Sequence, residues 1–319
     1  MKKIIFMATA ICLIYLFAGC SDDNGLETNG SSGNEENNIS ENTGYVIEES
    51  IAEEIQAPSY TSNMTDRTWM SANMEHSRFN RIDDFLDAAD DYIAAISEFT
   101  GRENWFDEYA RGNVRPHIEY MLTNQISHMR INHPRIDLYL NQEFFEHDLA
   151  PIAYMLTLII VPYNGSASLR NGLASYCQNK FGNNPSVFNW GINPHVFLNL
   201  LLNNANDLAM EIFEQVFDVI GTADERQHEY AEGDMRQFFN IASHSFVTYL
   251  IDGFGIENFM NLYWSDNLIR DYYEIYGKSF EDIKSGWIEF LESYPEVMTV
   301  EEYFNYMTEL HARHNLIVP

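Results

Sequence analysis

Cysteine is scarce in this chain of 319 residues: Cys12, Cys20 and Cys177 are all there are. The first two lie in or directly after an apolar leader, so the remainder has Cys177 alone and no internal disulfide. Stability must then come from a packed core, which an aromatic content of 14% suits. Basic residues are scarce too. Lys and Arg number 18 against 48 Asp and Glu, a formal net charge of -30. Such a field repels phosphate backbones and anionic lipid surfaces; it excludes nucleic-acid grooves and favours cations or basic partners. No apolar run reaches the roughly 20 residues that a membrane-spanning helix needs. Neither a Gly-rich phosphate loop nor a G-x-S-x-G elbow occurs.

What is present begins with an export pattern. Lys2 and Lys3 precede an apolar run from Ile4 to Phe17, and the small residues Ala18 and Gly19 stand just before Cys20. This layout reads as a signal peptide over residues 1–19. Leu16-Phe17-Ala18-Gly19-Cys20 resembles the lipobox of bacterial lipoproteins, which implies acylation of the Cys20 thiol and anchoring to a membrane through the lipid. Ser21-Asp22-Asp23 resembles the acidic tag that sends some lipoproteins to the outer face of the outer membrane. The expected location is therefore an outer-membrane lipoprotein exposed at the cell surface. Residues 20–56 form an acidic tether: from Asn24 to Gln56 the chain is rich in Asn, Ser, Gly and Glu, with no Lys or Arg. Such a segment buries too little apolar surface to offset its chain entropy.

Residues 57–319 are expected to form one domain. Ile82, Phe85, Leu86, Ala89, Ile93 and Ile96 fall at helical spacing, and Gly101 stops them. Between Ile126 and Leu140 the apolar residues alternate on either side of a turn at His133-Pro134, which predicts paired strands. Beyond that the chain reads as helical. A buried helix is expected over Ile152–Val161, with others over Leu169–Gln178, Ala209–Ile220 (closed by Gly221), Ala242–Leu250 (closed by Gly253), Phe280–Glu292 and Val300–His311. The fold class is thus α+β and predominantly helical, a small sheet region at about 102–145 followed by a helical lobe at about 146–319.

Particular segments carry a family resemblance. Arg135-Ile-Asp-Leu-Tyr-Leu140 resembles the strand before the active-site helix of gluzincin-type zinc peptidases. His147-Asp148-Leu149-Ala150-Pro151 stands where these enzymes have H-E-x-x-H, and Asn171-Gly172-Leu173-Ala174-Ser175-Tyr176 resembles their E-G-L-A-x-Y. The stretch from Ser245 to Ile251, Phe254-Gly255, Tyr276-Gly277-Lys278-Ser279-Phe280 and Trp287 resemble the tail of the same group. The resemblance spans roughly Arg135 to Leu291 and implies a zincin-like helical lobe. In that family two histidines at i and i+4 share a helix face, a glutamate from the next helix completes the zinc site, and the Glu after the first His activates the bound water.

This sequence departs at those positions. Pro151 has no metal-binding atom, Asn171 is a neutral and poor ligand, and Asp148 is one methylene shorter than the usual base. Only His147 keeps a ligand side chain, so no cofactor is expected, zinc included. Pro151 suits a first helical turn, with Asp148 as N-cap of a helix starting around Leu149; His147 and Asp148 are then a cap and its neighbour as readily as relics. The other candidates are weaker. His311 and His314 have metal-compatible spacing but no third ligand. His128 and His133 flank the turn, His244 precedes the Ser245-Phe246 helix near the cleft, and Cys177 reads as a buried small hydrophobe. The expectation is a metallopeptidase-like module with a lost zinc site, a pseudopeptidase used for binding or assembly. The alternatives are capture of a peptide, protein or glycan ligand for nutrient import, or an active zinc peptidase with a rearranged site.

Overall fold

The stripe of apolar residues after Ile82 forms helix α1 (Ile82–Thr100), which buries Phe85, Ala89, Ile93 and Ile96 completely. Gly101 ends it at φ +65, the left-handed region that only glycine enters freely. The computed structural model describes residues 62–63, 82–109, 117–125, 127–132, 135–182, 184, 189–233, 235–295 and 297–313. The leader, Cys20, the tether, the His133-Pro134 turn and His314 lie outside these residues.

Four strands make one mixed sheet, β1 (Ser62–Asn63), β2 (His117–Thr123), β3 (His128–Asn132) and β4 (Arg135–Asn141), in the order β1-β2-β4-β3. The alternation around 126–140 gives the antiparallel pair β3–β4, with Met129 opposite Leu138. Strand β2 lies parallel to β4. Its sequence alternates Ile118 and Tyr120 with Glu119 and Met121, yet Glu119 is buried as well. Glu119 and Asp137 are neighbours in register, and Arg135 on β4 reaches both, at 2.6 Å to Asp137 Oδ1 and 3.7 Å to Glu119 Oε2. Phe85 meets Tyr120 and Phe145 edge-on, at 5.0 and 5.3 Å between ring centres, which fastens α1 to the sheet.

The helical lobe follows. After the short α2 (Gln142–Glu146) come α3 (Ile152–Ile160), α4 (Ala167–Phe181), α5 (Pro194–Asn204), α6 (Asp207–Val219), α7 (Arg226–Glu232), α8 (Arg236–Phe254), α9 (Ile256–Tyr263), α10 (Leu268–Tyr276), α11 (Phe280–Glu292) and α12 (Val300–Arg313). The fold is α+β and predominantly helical, as the patterning predicts. Two boundaries differ. Helix α8 runs through Gly253 to Phe254 and turns at Gly255, where φ is +89. Helix α3 starts at Ile152, not near Leu149: Pro151 is its N-cap, without a side-chain cap bond, and Asp148 lies in the preceding turn at φ +56. Asp148 is therefore no N-cap; it occupies a left-handed position that Asp tolerates better than most residues. Among the described residues no helix is long and apolar enough to cross a membrane.

Candidate functional site

Helix α3 is apolar on every face, and only Leu158 of its nine residues is more than marginally exposed. Such a helix must be wrapped by others. It lies against α1 on one side and α4 on another. Its last carbonyls have no partner within the helix, and side chains from elsewhere meet two of them: Arg170 donates to Leu158 O at 2.9 Å and Tyr109 to Ile159 O at 2.7 Å. Just past the helix, Tyr263 donates to Pro162 O at 2.9 Å. A guanidinium at this end also complements the negative end of the helix dipole. These three residues hold the C-terminal end of α3, and none was singled out by motif. Arg170 is the one arginine in either helix of the α3–α4 pair.

Helix α4 begins at Ser166, whose hydroxyl accepts from Leu169 N at 3.4 Å. Its Gly-Leu-Ala segment is a helix crossing: a Cβ at Gly172 would stand 2.4 Å from both Ser243 O and Val247 Cγ2 of α8. Glycine is thus required there by packing. Cys177, one turn further, is fully buried and its thiol is pushed up to about 12 by burial, partly offset by a hydrogen bond with Thr157. It is an inert core residue.

The relative placement of α3 and α4 decides which residues can share a site. Tyr154 N donates to Gln178 Oε1 at 2.9 Å, and Arg170 reaches the carbonyl of Leu158. As α3 advances α4 recedes, so the pair is antiparallel. The bond between Cys177 and Thr157 sets the register: Asn171, six residues before Cys177 on α4, lies toward the C-terminal end of α3. Pro151 lies at the opposite end, about 13 Å away along the axis at 1.5 Å per residue. His147 caps α2 and Asp148 follows it, further off still. The structure brings His147, Asp148 and Pro151 to the N-terminal end of α3 and leaves Asn171 at the other. Zinc ligands sit about 2 Å from the metal, so these four positions do not make one coordination sphere.

Inside α3, Tyr154 is buried and its hydroxyl pushed up to about 12 by burial, with Arg170 and Arg236 near enough to lower it in part. Among the described residues no three His, Cys, Asp or Glu side chains lie close enough together to hold a metal ion.

The remaining histidines divide by burial. His128 stacks on Tyr139 at 4.5 Å. His311 lies on α12, partly buried. His244 is inside α8, 2% exposed, and belongs to the core, not to a cleft. Beside it His195, on α5, is 4% exposed; its Nδ1 lies 2.9 Å from Ser245 Oγ, and Trp287 Nε1 donates to the same hydroxyl at 3.0 Å. Trp287 occupies one lone pair of that oxygen as a donor, and His195 Nδ1 shares the other side of the hydroxyl. Burial lowers His195 to about 4, and burial with the neighbouring His195 charge lowers His244 to about 3. Both are neutral structural residues at ordinary pH. Sequence reasoning overlooked His195, although Asn193-Pro194 before an apolar stripe signals a helix start and Asn193 does cap it.

Compared with protein-family models, curated proteins and solved structures, the chain matches none of them.

Proposed function

We propose that this protein is a non-catalytic binding or assembly module on a gluzincin-like scaffold, carried on the outer membrane by acyl chains at Cys20 and displayed to the surroundings on its acidic tether. The observation that carries the reading is the α3–α4 pair. An apolar helix packs antiparallel to one that bears the Gly172-Leu173-Ala174 segment, the succession of helices that the resemblance implies. Of the positions where that family carries its ligands, His147 alone keeps a ligand side chain, while Pro151 and Asn171 carry none of the family's type.

The test is metal analysis of the purified full chain together with a peptide-cleavage assay. The expected result is zinc well below one ion per chain and no cleavage that a chelator suppresses. One zinc per chain with chelator-sensitive cleavage would overturn the proposal in favour of a rearranged active site.

A further inference from the structure

Away from positions 147, 148, 151 and 171, a groove of about 770 Å³ opens between the C-terminal ends of α1 and α4 and one face of α9. Its volume falls within the roughly 300–1,000 Å³ of small-ligand sites. Phe99, Phe181, Ile256 and Met260 give its lining an apolar part, and Glu98 from α1 and Glu257 from α9 line it too. Neither carboxylate forms an ion pair among the described residues. Two helices direct their C-terminal, partially negative ends here, and α1 has no basic residue in its last turn to offset its own.

The groove already shows what it accepts. The Lys180 ammonium, exposed and without a carboxylate partner among the described residues, rests on three rings: 5.1 Å from Phe99 and 5.8 Å from both Tyr176 and Phe181. Phe99 and Tyr176 are stacked nearly parallel at 5.7 Å. The Tyr176 hydroxyl donates to Asp252 Oδ1 at 3.0 Å, which makes its ring more electron-rich and the cluster more attractive to a cation. An aromatic cluster backed by carboxylates selects ammonium groups, and Lys180 is the protein's own occupant of it.

We propose that this groove binds a basic peptide segment, with a ligand ammonium taking the place of Lys180 over Phe99, Tyr176 and Phe181 and further cations meeting Glu98 and Glu257. The net charge of -30 raises the local concentration of such a partner. This assignment does not depend on the lost-metal reading, and a zinc measurement leaves it untouched.

The experiment is titration of the full chain with trilysine, followed by calorimetry at low ionic strength. Trilysine is expected to bind at one site. The Glu98→Gln/Glu257→Gln pair should weaken it about tenfold, and Lys180→Met should tighten it about threefold by removing the competing ammonium, as cation–π and partly screened charge contacts of this kind allow. All three are surface substitutions, and thermal melting checks that each variant is folded. Glu301→Gln/Glu309→Gln on α12 removes the same charge elsewhere and should change nothing. Equal weakening by both pairs would reduce the effect to bulk charge and overturn the proposal, as would no binding at all. A glucosamine trimer that bound more tightly than trilysine, with the same dependence on the variants, would overturn the peptide assignment in favour of an amino-sugar ligand.

Discussion

Acidification from pH 7 to pH 4.5 should cost this protein about 5 kcal/mol of folding stability, divided between two buried histidines. In the unfolded chain each titrates near 6.5, whereas in the folded state His195 is lowered to about 4 and His244 to about 3. Above pH 6.5 both states are neutral at these positions and stability is full. Below it the unfolded chain takes up protons that the folded one refuses, so stability falls as pH falls toward the folded values. At pH 4.5 that amounts to about 2–3 kcal/mol per histidine at 1.36 kcal/mol per pKa unit, against a total of about 5–15 kcal/mol for an ordinary domain. The carboxylates of Asp224 and Asp271, half-buried, and of Asp282 and Glu302, exposed, are held below their ordinary values by local hydrogen bonds. Urea unfolding at pH 7 and pH 4.5 reads the difference. In His195→Gln the pH-dependent loss should shrink by about half, whatever the variant's stability at pH 7. A loss equal to that of the parent chain would show that His195 is not held neutral by its surroundings.

The second large effect is at Trp287. Its indole is fully buried, packed edge-on against Phe217 and Phe246 at 5.3 and 5.2 Å, and its Nε1 supplies the hydrogen bond that orients Ser245. Trp287→Ala opens a cavity among α6, α8 and α11 and removes a buried donor, so a cost of about 4 kcal/mol is expected. For a domain of this size that is a fall of roughly 10 °C in Tm. Trp287→Phe keeps most of the bulk and loses the donor, and should cost about 1–2 kcal/mol. Thermal melting of the two variants separates volume from hydrogen bonding. If Phe were as damaging as Ala, the bond to Ser245 would outweigh the packing. If neither moved the midpoint, the position assigned to Trp287 would be mistaken.

Much of the fold is legible in residue spacing because it arises from local physics. The stripe from Phe85 to Ile96 dictates α1 and Gly101 its end; Ser279 and Asp282 form a capping box that starts α11 at Phe280. The alternation around Met129 and Leu138 dictates β3 and β4. Strand β2 is less visible because both of its faces are covered, so buried Glu119 interrupts the pattern that exposes a strand to reading. Helices α7, α9 and α10 are short, and a seven- to nine-residue helix shows barely two turns of periodicity. At Gly253 the residue type misleads: a glycine on the exposed side of a helix costs little, and the chain turns two residues later.

The candidate site was legible in part for the same reason. The Asn171-Gly172-Leu173-Ala174 segment does lie on a buried helix beside α3. The register between the two helices is a long-range property, set by the Tyr154–Gln178 and Arg170–Leu158 bonds, and no local pattern announces it. A motif position such as Pro151 can therefore carry the expected spacing in sequence and still lie a helix length from Asn171.

The most direct test of the account asks whether the motif positions hold a metal once the side chains are supplied. The Asp148→Glu, Pro151→His, Asn171→Glu triple variant gives His147 a second imidazole at i+4 and a carboxylate on the next helix, the set that zinc requires. Pro151 and Asn171 lie by opposite ends of α3, so zinc titration, monitored with cobalt as a spectroscopic substitute, is expected to give no tight tetrahedral site. A folded variant that bound one ion per chain in a tetrahedral site would contradict this placement.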